Sequence, residues 1–131
     1  MLWLLSELHV EKINLRDKLA RIDQAWVPHV VGELNGQFVK VAHFDGEYVW
    51  HQHAAEDEAF LVLEGKVALH FRDGDVELGP GEMCIVPRGI EHKPEAVGGR
   101  AQVLLFEPST TRNTGNVDDA RTIEAKELPR I

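Results

Sequence analysis

The chain has 131 residues, with 14 basic against 22 acidic side chains and a formal charge of −8. That length makes one domain with room for a real core, and 44% hydrophobic with 27% charged residues excludes wholesale disorder. The acidic balance argues against a phosphate-backbone binder, whose affinity rests on clustered Lys and Arg, and the single cysteine, Cys84, excludes an internal disulfide and suits a reducing cytoplasm.

The chain opens on the apolar Met1-Leu2-Trp3-Leu4-Leu5, but no basic residue precedes this run. Glu7, His9, Glu11 and Lys12 then interrupt it before a signal peptide or a membrane span is complete. A cytoplasmic protein with no membrane association is expected, with the apolar start packed on the domain or on a partner subunit. From Ile13 to Ala25 the spacing of Ile13, Leu15, Leu19, Ile22 and Ala25 predicts a short amphipathic helix capped by Asn14 and ended before Pro28. Beyond it, turn signals such as Asn35-Gly36, Asp45-Gly46, Glu64-Gly65, Asp73-Gly74 and Gly98-Gly99 punctuate short β-branched and aromatic runs. These runs predict strands near 29–34, 37–44, 47–53, 58–64, 66–72, 75–78, 82–86, 90–96 and 100–107, a pattern of antiparallel sandwiches and barrels rather than βαβ units. Residues 109–116 read as a loop and 117–131 as a weakly patterned tail. The organisation is therefore an N-terminal segment 1–26, an all-β unit 27–108 and a C-terminal tail 109–131.

The chemistry concentrates in His51-Gln52-His53 and Glu58. Alternate residues of a strand share a face, with Cα atoms roughly 6.6–7 Å apart, so the two imidazoles can converge on one ion. Val49 falls on that inner face, and Tyr48, Trp50 and Gln52 on the other. Glu58 shares its face with Phe60 and Val62, where a carboxylate is costly unless paired or bound to a metal. His92 joins this set only if the β-fold closes.

Other residues carry two readings. A three-residue loop over Asp45-Gly46-Glu47 places His43 inward as a group behind the site or a base, and a two-residue loop turns it outward opposite Tyr48. Arg88 and Lys93 are candidates for a cationic rim that receives a phosphate or carboxylate, or else are solvated. Phe38, Phe44, Phe60, Phe71 and Phe106 read as core, with Phe60 also a candidate to line a cavity. His70 reads as solvated, His9 and His29 have no assigned partner, and Cys84 reads as a small buried hydrophobe.

Two stretches resemble the motifs of the cupin superfamily. The first is Gly46, His51-x-His53, Glu58 and Gly65; the second is Gly81, Pro87-x-Gly89 and His92. The spacer from Gly46 to His51 is one residue shorter than the usual pattern, and Ala96 stands where the second motif often ends in Asn. The resemblance implies a single jelly-roll cupin barrel with a short N-terminal helix and a C-terminal tail. It also implies one divalent metal ion (Mn, Fe, Ni, Co or Zn) held by His51, His53, Glu58 and His92. Small cupins of this kind are likened to mannose-6-phosphate isomerases, and others resemble dioxygenases. The expected function is thus a metal-dependent enzyme on a small polar metabolite, acting as a homodimer. The alternative is a non-catalytic barrel that binds a sugar or other small ligand with an anchoring metal. Regulator cupins resemble fusions with a DNA-binding domain, and one helix before the barrel supplies no such element.

Overall fold

The structure is a computed structural model that describes Leu4, Leu5, Glu7, Leu8 and residues 10–131. The expectations for Leu2, Trp3 and His9 lie outside the described residues. Among these residues eight strands follow one short helix α1 (Leu15–Ala20): β1 (His29–Leu34), β2 (Gln37–Phe44), β3 (Glu58–Glu64), β4 (Val67–Phe71), β5 (Gly74–Leu78), β6 (Met83–Val86), β7 (His92–Ala96) and β8 (Ala101–Pro108). They form a five-stranded sheet in the order β1-β2-β8-β3-β6 and a three-stranded sheet in the order β5-β4-β7, with antiparallel pairing throughout. The protein is all-β, and its core lies between the two sheets. Among the described residues the strands do not join into one closed barrel, which corrects that expectation.

Strict alternation builds the core. Phe60 and Val62 of β3, Ala101, Val103 and Leu105 of β8, and Val67 and Leu69 of β4 face one another across the sandwich. The β1–β2 connection is a two-residue hairpin in which Asn35 and Gly36 both take positive φ, 51° and 76°. That is the turn whose twist matches the strands, and it needs Asn-Gly chemistry. Phe106, expected in the core, is on the outer face of its sheet and 36% exposed, because β8 alternates with Leu105 and Glu107 inward.

The helix is shorter than its periodicity predicted. Asn14 caps it, accepting from the Asp17 N–H at 3.0 Å, and Leu19 with Ile22 buries its apolar side against Val41 of β2. It stops after Ala20 because tertiary bonds claim the chain beyond. Trp26 takes φ 65°, its N–H donates to the His43 carbonyl at 2.9 Å, and its indole Nε1 donates to the Asp45 carbonyl at 2.8 Å.

Residues 47–53, predicted as a strand, form instead an irregular edge along β7, with isolated bridges Glu47↔Glu95 and His51↔His92. The two bridges differ in register by one residue. The cause is Pro94, which carries no N–H to continue the ladder beyond the His51–His92 pair. The Tyr48 N–H donates to the Pro94 carbonyl at 2.9 Å, and the slip turns Tyr48 inward, not outward as strict alternation required; it is buried on Trp26, with ring centroids 4.5 Å apart.

The C-terminal tail is ordered. Thr111 and Thr114 are fully buried, Leu128 packs with Val30 and Phe38, and Val30 forms a parallel bridge with Arg130. No helix among the described residues is long and apolar enough to cross a membrane.

Candidate metal centre

Four ligand atoms, one each from His51, His53, Glu58 and His92, lie within 4.8 Å of one another, and all four residues are buried. Each arrives on a separately fixed piece of backbone. Glu58 opens β3 and pairs with Val86 of β6. His51 and His92 exchange both backbone hydrogen bonds, at 3.0 and 2.9 Å. The His53 carbonyl accepts from the Gly89 N–H at 2.8 Å, so the Pro87-Arg88-Gly89 turn holds the far end of the His51-Gln52-His53 run.

The rings are oriented by the same device twice. His92 Nδ1 bonds the carbonyl of Ile90 and His51 Nδ1 bonds the carbonyl of Val49, both at 2.9 Å. A carbonyl accepts, so each Nδ1 carries a proton. That leaves Nε2 of neutral His51 with its lone pair, the form a metal takes, whereas Nε2 of His92 donates to Glu58 and would give up that proton to a metal. The Val49 carbonyl is the one that an N–H at position 94 would have occupied in a regular ladder. Pro94 therefore breaks the strand and frees the group that orients His51.

Electrostatics keep the cluster ready for a cation. Burial, reinforced by neighbouring His92, pushes the His51 imidazole down to about 4, so it is neutral at physiological pH. Burial works to raise the Glu58 carboxyl, but its contacts with His53 and His92 win and hold it well below the usual carboxylate range. Burial likewise opposes charge on His92, yet its bond to Glu58 Oε1 at 3.2 Å leaves it raised.

The residues present fit a divalent metal. Among the described residues His53 Nε2 is buried without a hydrogen-bond partner, 3.3 Å from Glu58 Oε1. A buried polar atom left unpaired costs about 1–3 kcal/mol, and an ion bound by the other three residues would supply its partner. Three imidazole nitrogens and one carboxylate suit Zn²⁺ or an octahedral first-row ion equally.

The centre opens on a partly open cavity of about 30 Å³, walled by Trp26, Phe44, Tyr48 and Phe60. That is room for a water-sized group. Phe60 lines it and meets His92 edge-on, with centroids 5.9 Å apart. The cavity also holds a carboxyl that sequence reasoning missed, that of Glu107. Glu107 Oε1 accepts from Lys40 Nζ at 2.9 Å, with both side chains buried, while Oε2 has no partner among the described residues. Burial first, then the nearby Glu58 charge, raises the Glu107 carboxyl well above its ordinary range. The register explains the crowding: Ala59 pairs with Phe106, so Glu58 and Glu107 stand side by side one step on. A signal existed in the sequence, since Lys40 alternates with Phe38, Ala42 and Phe44, and Glu107 with Leu105, Val103 and Ala101. Each is a charge on an apolar strand face.

Three candidates stand elsewhere. His43 sits on the outer face of its sheet, where its Nε2 bonds the Leu19 carbonyl at 2.9 Å and closes the end of α1. It is a structural group beneath the helix, away from the cavity. Arg88 is exposed and tied to Asp57, with Nε 3.2 Å from Oδ1. Lys93 lies on the outer face of β7, 3.3 Å from Glu47 and 5.7 Å from the Trp50 ring centroid. Neither lines the cavity: Arg88 stands in the exposed turn before β7, and the inward residues of β7 are His92, Pro94 and Ala96. Cys84 is half-buried and its thiol is raised by burial. His29 bonds the Val27 carbonyl, and His70 is held between Asp75 and Glu95 rather than freely solvated.

Comparison with known proteins agrees with this arrangement. A cupin-2 domain protein from Shewanella frigidimarina is 42% identical, with a TM-score of 0.71 over 73% of this chain and 93% of that one. Protein NMB1881 from Neisseria meningitidis is 31% identical, with a TM-score of 0.69 over 75% of this chain and 99% of that one. Protein YdbB of Bacillus subtilis (strain 168) is 38% identical over 64 residues, 48% of this chain; the chain covers 57% of that relative's length. Residues 38–108, more than half of the sequence, match the family model described as a cupin domain. The chain belongs to the cupin family.

Proposed function

We propose that this cupin is a metal-dependent enzyme acting on a small polar metabolite, of the isomerase or dioxygenase type, with the metal on His51, His53, Glu58 and His92. The observation that carries the reading is the pair of orphaned buried atoms, His53 Nε2 in the ligand cluster and Glu107 Oε2 in the adjoining cavity. A structural ion needs the first but gives no reason for the second. A metal in this position supplies a Lewis acid for a substrate oxygen or a redox centre. The chain's own groups do the rest. Lys40 fixes the Glu107 carboxyl, whose free oxygen is left to hydrogen-bond a polar group of the substrate, and aromatic side chains wall the space beside it. A mannose-6-phosphate isomerase-like reaction remains one form of this proposal.

Homodimer formation belongs to the same proposal. Met83 and Ile85 of β6 and Phe106 of β8 stand exposed on one face of the five-stranded sheet, and light scattering that reads twice the monomer mass supports it.

The test is metal content by mass spectrometry on protein purified without chelator or histidine tag, followed by screens for oxygen uptake and sugar-phosphate isomerisation. Near-stoichiometric Fe, Mn, Ni, Co or Zn with turnover in either screen supports the enzyme reading. Metal without turnover moves the assignment to a binding barrel for a sugar or other small ligand. No metal, and no thermal stabilisation by any added ion, overturns it.

A further inference from the structure

We infer that the C-terminal segment, which lies outside the residues matched to the cupin domain, is part of the metal centre, with Gly115 and Asn116 as positioning residues for His51 and His53. The inference rests on the metal-binding reading above. Its geometry does not: it comes from how the three residues His51, Gln52 and His53 are held.

Their backbone is tied in three directions. His51 is bonded to β7 and His53 to Gly89. Gln52 faces the other way, and among the described residues no strand pairs with its N–H and carbonyl; Asn116 closes that edge. Its Oδ1 accepts from the Gln52 N–H at 2.9 Å, and its own N–H donates to the Gln52 carbonyl at 3.1 Å. Two bonds to one residue, one on each of its flanking peptide units, act as a one-residue strand partner. They set the direction of the backbone from which both imidazoles project.

Gly115 makes the approach possible. It takes φ 56°, and a Cβ built on it would lie 2.1 Å from the Gln52 carbonyl oxygen and 3.2 Å from Cδ2 of the His51 ring. The tail therefore packs against the ligand itself as well as its backbone, and a side chain there would have to push the Gln52 peptide away. The bracket is in turn a rigid object. Arg112 donates from one guanidinium nitrogen to the carbonyls of Gly115 and Val117 at 3.0 and 2.8 Å, and Thr114 Oγ1 donates to Val117 at 2.8 Å. Asp118 and Glu124 hold Arg112 in place. Further along, Arg121 reaches the Glu47 carbonyl at 3.1 Å and lies 4.8 Å from the Tyr48 ring centroid. Both ends of the irregular 47–53 edge are thus fastened to the tail.

Groups that orient metal ligands from behind change affinity by about 10–100-fold when removed. The experiment titrates Co²⁺ into the full-length protein and reads both affinity and the visible d–d absorption, which reports ligand geometry and not stability. Asn116→Ala is expected to lose at least about tenfold in affinity and to shift the bands. Asn116→Asp, which keeps the acceptor and the N–H, restores both. Gly115→Ala is expected to lose more than Asn116→Ala. A second arm needs no variant that must fold. Linkage is reciprocal, so if the bracket supports the metal the metal must support the bracket. Bound Co²⁺ should slow hydrogen exchange at the amides of Gln52 and Asn116 in the wild-type chain. Wild-type Co²⁺ affinity and spectrum in folded Asn116→Ala, or no slowing at the Asn116 amide, overturns the bracket while leaving the metal reading intact. Failure of the wild-type chain to take up Co²⁺ overturns both.

Discussion

An imidazole–carboxylate cluster lies against each face of the three-stranded sheet, and the two have opposite characters. On the outer face, His70 of β4 bonds Asp75 through Nδ1 and Glu95 through Nε2, both at 2.8 Å. Every polar atom of that ring is used, the side chain is 22% exposed, and a metal would have to displace a bond already made. On the inner face, His51 and His92 spend Nδ1 on backbone carbonyls and turn Nε2 toward Glu58 and the unpartnered His53. Imidazoles and carboxylates thus give a closed ion-pair network on one side, one His between two carboxylates, and a set of converging ligand atoms on the other, three His around one carboxylate. What separates them is saturation. A cluster whose donors are all paired is structural, and one that leaves a buried donor unpaired has a place for something else.

The largest effect should come from the other incompletely saturated group in the interior. Lys40→Met leaves Glu107 buried with neither oxygen paired, and urea unfolding should show a loss of about 3–5 kcal/mol. Lys40→Met combined with Glu107→Leu should recover much of that loss; equal destabilisation in single and double variants would show that the pair is not the cause. Next, His51→Ala or His92→Ala should weaken Co²⁺ or Mn²⁺ binding by about 100-fold or more, since each removes a ligand rather than its support. His70→Ala should leave that affinity unchanged. Equal losses in all three would erase the distinction between the faces.

The smallest effect is the most diagnostic of the outer cluster. His70→Ala should cost no more than about 1 kcal/mol, as partly exposed ion pairs do. Its pH dependence has a definite sign. Glu95, then Asp75, raises the His70 pKa in the fold. The stabilisation is therefore complete below the unfolded value near 6.5 and is lost as pH rises through the raised folded value. The difference between wild type and His70→Ala, followed by thermal denaturation, should shrink as pH rises from 6; a difference that grows with pH contradicts the pairing.

How much of this was legible in the sequence follows the range of the forces involved. His51, His53 and Glu58 announced themselves by strand spacing, and resemblance supplied His92 because its approach is a long-range fact of the fold. The face of His43 turned on the length of one loop, which local propensity does not set. Tyr48 was misplaced for a related reason: the slip that turns it inward is caused by Pro94, 46 positions away in the chain. Lys40 and Glu107 violated their apolar faces visibly, but that they pair with each other needed the β2–β8 register. The tail left the least trace. It is held by side-chain-to-backbone bonds from Arg112, Asn113, Thr114, Asn116 and Arg121, and polar contacts of that kind have no hydrophobic period to read.

The central claim is that the inner cluster, and not the outer one, is a metal site. Crystals grown with Co²⁺ and measured at the cobalt absorption edge test it most directly. The account predicts one strong anomalous peak within bonding distance of His51, His53, Glu58 and His92, and none at His70. A peak at His70, or an empty inner cluster at saturating Co²⁺, would contradict it.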